Sequence, residues 1–174
     1  MAKPIVFSPY MVRAILEGRK TVTRRMIKYF PDCFESPIIE NFKGDWYCYD
    51  SEYPDEGAIK INQPYKIKNI LWVKEEWSST PDGHIHYRAT DEALGPWKPS
   101  VFMPRSIPRI NLMVVDVRAE KLKDITKEDI AKEGFEMLPQ HPDLMAPFWN
   151  KVYGRKYSWD SDLWVWRIEF RMAE

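Results

Sequence analysis

The sequence predicts an α+β fold, a mixed β-barrel with peripheral helices, and three observations point to it. Its elements run strand, helix, strands, helices, strand. Two long stretches, Ile110–Val117 and Leu163–Arg171, carry β-branched and aromatic residues in strand-like patterns. The helical stretches are short and sharply punctuated by capping residues and glycines.

Lys3 to Phe7 reads as a short strand. Ser8 is an N-cap and Pro9 a first-turn residue, so a helix starts there. Met11, Val12, Ile15 and Leu16 form its apolar stripe, and Gly18 ends it in a left-handed cap. Residues 28–69 carry Pro31, Pro37, Pro54 and Pro64 between aromatic pieces such as Trp46 to Tyr49. That pattern predicts a long irregular excursion with one or two short strands. Ile70–Val73 opens a strand that continues through Lys74, Glu75, Glu76 and Trp77. Thr80 to Gly83 supplies turn residues, and His84 to Ala89 is its partner. Ile110–Val117 is a buried strand. Thr126 with Asp129 resembles a capping box for a short helix closed by Gly134. Pro142–Val152 is a second helix, with Leu144, Phe148, Trp149 and Val152 at helical spacing and Gly154 as its stop. In the last strand Trp164, Trp166, Ile168 and Phe170 alternate with Val165, Arg167, Glu169 and Arg171, so the tryptophans face a core.

Composition bounds the function. The 174 residues suit one domain. Eight Trp and nine Tyr imply a strongly aromatic core, an aromatic-lined cleft, or both. Lys plus Arg equals Asp plus Glu at 26 each, which argues against coating nucleic acid through bulk charge and leaves room for a local basic groove. Cys33 and Cys48 form no metal spacing or disulfide framework. No apolar run reaches membrane-spanning length and no signal-peptide core opens the chain, so a reduced cytoplasmic setting, without membrane, is expected. His84 and His86 share a strand face, but no third ligand stands at a useful spacing, so no metal and no cofactor is expected.

The most informative segment is Gly18-Arg19-Lys20-Thr21-Val22-Thr23-Arg24-Arg25, with four cations and two hydroxyls in eight residues. If it is extended, Lys20, Val22 and Arg24 share one side, and Arg19, Thr21, Thr23 and Arg25 share the other. Like charges at this density are commonly held around an anion. The plainer reading is a solvated basic loop, whose first cations the dipole of the preceding helix favours.

This segment resembles the signature of the ASCH domain, a branch of the PUA-like β-barrel superfamily. Leu71-Trp72-Val73-Lys74-Glu75-Glu76-Trp77 and Trp97-Lys98-Pro99-Ser100-Val101-Phe102-Met103-Pro104-Arg105 add to the resemblance, as do Trp149 with Gly154 and Trp159-Asp160 running into Trp164-Val165-Trp166. Together they look like a phage- and prophage-associated ASCH subfamily. The resemblance implies a single PUA-like domain over residues 1–174, with a divergent insertion at about 30–65. Two departures stand out. Lys68-Asn69 replaces a Gly-Asp pair common in that subfamily, and Phe102 stands where a His is common.

The resemblance implies a cleft that binds RNA, a nucleotide or a modified nucleobase. Relatives that remove the acetyl group from acetylated cytidine imply Lys20, Thr23 and Glu75 as a catalytic set; others are linked to RNA cleavage. Thr23 is then a nucleophile or the group that positions water. Lys20 is a base if burial and neighbouring cations lower its pKa, or an electrostatic stabiliser if Glu75 keeps it charged. Glu75 equally suits a structural ion pair with Arg24 or Arg25. Candidate ligand-binding residues are Arg19, Lys20, Thr21, Arg24 and Arg25, with Trp77 or Tyr87 for stacking and Lys98, Ser100 and Arg105 for phosphate. Trp77 also suits a core position. A third reading is a phage accessory or assembly protein that binds another protein through an exposed apolar patch.

Overall fold

The computed structural model describes residues 2–27, 37–52, 57–91, 95–135, 145–154, 157–161 and 163–173. Strand β1 (Lys3–Val6) leads into helix α1 (Pro9–Leu16), where the Ser8 hydroxyl accepts from the Met11 N–H at 3.4 Å. Gly18 turns the chain at φ +74° into β2 (Val22–Met26). Both ends of α1 therefore match the capping chemistry in the sequence.

The stretch expected to be irregular with one or two short strands holds three, joined in a sheet. β3 (Pro37–Phe42), β4 (Asp45–Asp50) and β5 (Ile59–Ile61) form an antiparallel three-stranded layer. Lys43 and Gly44, at φ +52° and +89°, make the left-handed two-residue turn that a tight hairpin requires. One face of this layer packs inward. Ile39, Cys48 and Ile61 join the main core, and Trp46 meets Trp166 edge-on at 5.2 Å. Burial, with the Asp50 charge nearby, pushes the Cys48 thiol up to about 11, so it acts as a small core residue rather than a nucleophile.

β6 (Ile70–Lys74) ends before Glu75, and β7 (Trp77–Ser79) pairs with β8 (Ile85–Tyr87) in a separate two-stranded sheet. The single strand expected over Ile70–Trp77 is therefore two. Glu75 lies just past β6, where its carboxylate accepts from Arg109 Nε and Nη2 at 2.9 Å each, and it is 1% exposed.

β9 (Asn111–Lys121), α2 (Lys127–Lys132), α3 (Ala146–Tyr153) and β10 (Trp164–Met172) complete the fold. The expected start of α3 at Pro142, with Leu144, lies outside the described residues. The main sheet has the order β1-β6-β9-β10-β2; β1 and β6 are parallel and the other pairs antiparallel. The sheet curls until its two edge strands approach each other, and Arg25 Nη2 donates to the Val6 carbonyl across the seam at 2.8 Å. The class is α+β, with a mixed, barrel-like wall and helices at its periphery.

β10 is covered on both faces. Trp166, Ile168 and Phe170 enter the main core with Phe7, Leu71 and Leu112. Val165 packs into a second cluster with Leu122, Ile130, Trp149 and Trp159. Simple alternation assigned Val165 and Arg167 to the polar face, yet both are buried because α2 and this second cluster cover it. The Thr126 hydroxyl caps α2 by accepting from the Asp129 N–H at 3.2 Å. The return arm of the capping box is absent, because the Asp129 carboxylate is taken by Arg24 and Arg167. Gly134 follows at φ +92°, and a Cβ there would lie 2.7 Å from that of Ala14. Only glycine allows this close approach of the α2 exit to α1.

Candidate functional site

A cavity of about 570 Å³ opens along the seam between β1 and β2. One wall is aromatic and comes from Phe135 and α3, through Phe148, Trp149 and Tyr153. The Trp149 indole N–H donates to the Tyr157 carbonyl at 2.8 Å, and its ring lies 4.3 Å from that of Tyr153, so the wall is held in place. The polar wall comes from Ser8, Thr23, Arg24, Arg25, Lys74 and Glu133. Antiparallel pairing leaves alternate backbone groups of an edge strand unpaired. In β2 the Thr21 carbonyl and Ile27 N–H reach β10, so the N–H and C=O of Arg24 point outward into the seam. The neighbouring Met26 N–H already donates to the Tyr153 hydroxyl at 3.4 Å.

The basic motif is extended and splits between two environments. Arg24 lies opposite Arg167 on the face toward α2, while Thr23 and Arg25 lie opposite Ile168 and Trp166 on the other. On the α2 face the cations are neutralised. Lys20, 2% exposed, donates through Nζ to Glu133 Oε2 at 2.7 Å, to the Val22 carbonyl at 2.7 Å and to the Glu133 carbonyl at 3.0 Å. Arg24 binds Glu133 at 3.2 Å, Asp129 at 2.5 Å and Glu120 at 2.6 Å. Arg167 binds Asp129 at 3.0 Å and Glu169 at 2.8 Å. Burial pulls the Lys20 ammonium below its ordinary value, with the Glu133 charge opposing that pull. Lys20 and Arg24 therefore each already hold carboxylates, one for Lys20 and three for Arg24.

Asp129 carries a pH dependence. Burial raises its pKa, but the hydrogen bonds and charges of Arg167 and Arg24 outweigh that and hold it below 3.8. A carboxyl depressed by folding contributes fully above its unfolded value and is lost as pH falls through its folded value. Melting temperature is expected to hold near neutral pH and to fall steeply below about 3.8. Asp129→Asn is expected to flatten that acid limb, as read by circular dichroism melts from about pH 6 to about pH 2.

On the seam face, Arg25 and Lys74 converge on Val6. Arg25 donates to the Val6 carbonyl and lies 5.4 Å from the Phe7 ring. Lys74 pairs in register with Val6, donates to the Val101 carbonyl and lies 5.5 Å from the Trp72 ring. Among the described residues no carboxylate pairs with either.

The remaining sequence candidates lie elsewhere. Arg19 pairs with Glu17 and donates to the Gly134 carbonyl at 2.9 Å, and the Thr21 N–H donates to the Lys132 carbonyl at 2.9 Å; both tie β2 to the end of α2. Glu75 is held by Arg109, not by Arg24 or Arg25, and the carboxylate on Lys20 is that of Glu133. Trp77 is a core residue with Lys98 stacked on it at 4.3 Å. The Tyr87 hydroxyl donates to the Ile107 carbonyl at 2.7 Å, and Arg109 covers its ring at 4.1 Å. Ser100 lies in a one-turn helix beside the exposed Phe102, and Arg105 lies over Trp72 at 5.2 Å. None of these lines the seam cavity. His84 and His86 have rings 4.9 Å apart, and among the described residues no three metal-binding side chains converge. No helix of the described residues is long and apolar enough to cross a membrane.

Sequence reasoning missed Lys74, Glu133 and the cavity-facing role of α3. Phe148, Trp149 and Val152 carried a visible signal, but helical spacing reads the same for a core stripe and a cavity wall. Glu133 had none beyond its place before Gly134.

No family model matches the chain. The RNA-directed RNA polymerase L of Bunyamwera virus is 23% identical to it over 126 residues, 71% of this chain, and the chain spans only 5% of that polymerase's length. Solved structures similar to it include these two. The ASCH domain from Lactobacillus crispatus JV V101 gives a TM-score of 0.44 at 12% identity, covering 98% of this chain and 79% of that one. A protein from Enterococcus faecalis V583, described as family-model DUF984, gives 0.48 at 11% identity, covering 99% and 82%. All are remote similarities, and the α+β class rests on the strand order and helices of the chain itself.

Proposed function

We propose that the chain is a binding module whose seam cavity takes a nucleotide, free or as one unit of an RNA, or a modified nucleobase carried in the same way. The observation that supports it most is an aromatic wall facing two cations, Arg25 and Lys74, that lack carboxylate partners among the described residues. A flat base suits the Phe148, Trp149 and Tyr153 side, where stacking contributes about 1–3 kcal/mol. A phosphate suits the lip at Val6, between the two cations. The outward N–H and C=O of Arg24 suit the polar edge of a base. The volume, about 570 Å³, lies within the usual range for small-molecule sites. The reading takes residues 1–174 as one ASCH-like domain with an insertion at about 30–65, supported by the core that Ile39, Cys48 and Ile61 share with the main sheet. It keeps the cytoplasmic, phage-associated setting that the motif resemblance implies.

A second reading has one observation in its favour. Thr23 and Glu133 both line the cavity, and the Glu133 carboxylate is bonded to Lys20. A hydroxyl, a carboxylate and a buried ammonium are the groups that hydrolysis of an acylated nucleoside needs, with Glu133 in the role the resemblance assigns to Glu75.

Titration with nucleoside monophosphates and short single-stranded RNAs over a salt series tests the binding reading. Each phosphate contact to a single strand contributes about −0.7 to the slope of log K against log salt. Two lip cations predict a slope between about −0.7 and −1.4. A salt-independent affinity would contradict an anion at that lip. Acetate released from an acetylated cytidine in the same titration would favour hydrolysis over binding alone.

A further inference from the structure

The solvent-facing side of the β3-β4-β5 sheet carries a second, chemically different hollow of about 320 Å³, lined by Glu40, Phe42, Tyr47, Tyr49 and Ala58. Register explains how it forms. Glu40 lies opposite Tyr47, Ile38 opposite Tyr49, and Tyr47 opposite Lys60, so these residues share one face. The inward residues, Ile39, Trp46 and Cys48, are their sequence neighbours. The alternation therefore places the Phe42, Tyr47 and Tyr49 rings and the Glu40 carboxylate, with the Asp45 and Lys60 pair, on the side that the core does not need.

The charges on this face are unevenly satisfied. Lys60 is paired with Asp45 at 2.6 Å. Glu40 takes a hydrogen bond from the neutral Tyr49 hydroxyl, and among the described residues no cation pairs with it. Phe42 is 63% exposed at the hairpin tip, and Lys43 Nζ lies 5.2 Å over its ring, so this rim already holds a cation against an aromatic face. Aromatic faces carry negative quadrupole potential and attract alkylammonium and guanidinium groups. A carboxylate among them adds charge complementarity and disfavours phosphate.

We propose that this hollow is a docking site for a lysine or arginine side chain of a partner protein's basic segment, held against Tyr47 and Tyr49 and paired with Glu40. It is independent of the seam cavity, which carries the opposite charge.

The test is a ¹H–¹⁵N titration of the full chain with three short acetylated and amidated peptides. They are alike except for a central lysine, arginine or norleucine. The lysyl and arginyl peptides are expected to shift the signals of Glu40, Tyr47 and Tyr49 and to leave those of Val6 and Arg25 in place. Norleucine, with the same chain and no charge, is expected to bind at least fivefold more weakly. Glu40→Gln keeps the shape of the side chain and its bond to Tyr49, and is expected to weaken the lysyl peptide about three- to fivefold. Tyr47→Ala tests the aromatic part, with unchanged Cys48 and Trp166 signals as the check on folding. Equal binding of the norleucine peptide, no shift at millimolar peptide, or shifts produced by a short RNA but not by the lysyl peptide would each overturn the proposal.

Discussion

Replacing Lys20 with methionine is expected to destabilise the protein by about 3–5 kcal/mol, because the buried Glu133 carboxylate loses its 2.7 Å ammonium partner and keeps only Arg24 at 3.2 Å. For a chain of this length that corresponds to a melting temperature lower by roughly 6–20 °C. The loss is larger than the net value of the pair, since it contains the desolvation cost of a buried carboxylate left with one partner instead of two. Lys20→Met combined with Glu133→Gln is therefore expected to recover most of it, as a double-mutant cycle reads directly. A Lys20→Met protein as stable as the wild type would contradict a structural Lys20–Glu133 pair. This has a practical consequence. Activity lost on removing Lys20 reports the fold as much as the chemistry, whereas Thr23→Val removes the cavity hydroxyl and keeps a β-branched side chain suited to the strand.

Arg25→Ala is expected to weaken binding of a nucleoside monophosphate about 10- to 100-fold, the effect of losing a charge-assisted hydrogen bond of about 1.5–3 kcal/mol. Affinity for the corresponding nucleoside, which lacks the phosphate, is expected to change far less. Lys74→Ala is expected to act in the same direction, and the double variant to abolish the salt slope. Isothermal titration of the four proteins with the ligand pair separates charge from stacking. Equal losses for nucleotide and nucleoside would show that Arg25 acts only by closing the seam through Val6.

Much of the local structure was legible. The Ser8 cap, the Gly18 stop and the two-sided split of Val22 and Arg24 from Thr23 and Arg25 follow from residue chemistry and the period of a strand. The partners of each side were not. Glu133 lies 113 positions from Lys20 and Asp129 lies 105 from Arg24, so the acids that neutralise half the motif come from a helix whose docking no local pattern announces. For the same reason Arg24 and Arg25, adjacent and chemically identical, have opposite fates: one is consumed by three carboxylates and the other faces the seam. The β3-β4-β5 sheet was hidden because prolines in and around it masked a hairpin signal as weak as Lys43-Gly44. Glu75 and Trp77 resemble site residues by motif, and their long-range partners, Arg109 and Lys98, were not legible in the sequence.

In the proposed binding mode the β1–β2 seam holds a base against α3 and a phosphate at Val6. Mapping ¹H–¹⁵N shifts during titration with a nucleoside monophosphate tests it most directly. The account predicts that the Trp149 indole signal and the amides of Val6, Arg24, Arg25 and Met26 move together and saturate at one concentration. Saturable shifts confined to Trp77, Tyr87 and Lys98, with the seam signals unmoved, would contradict it.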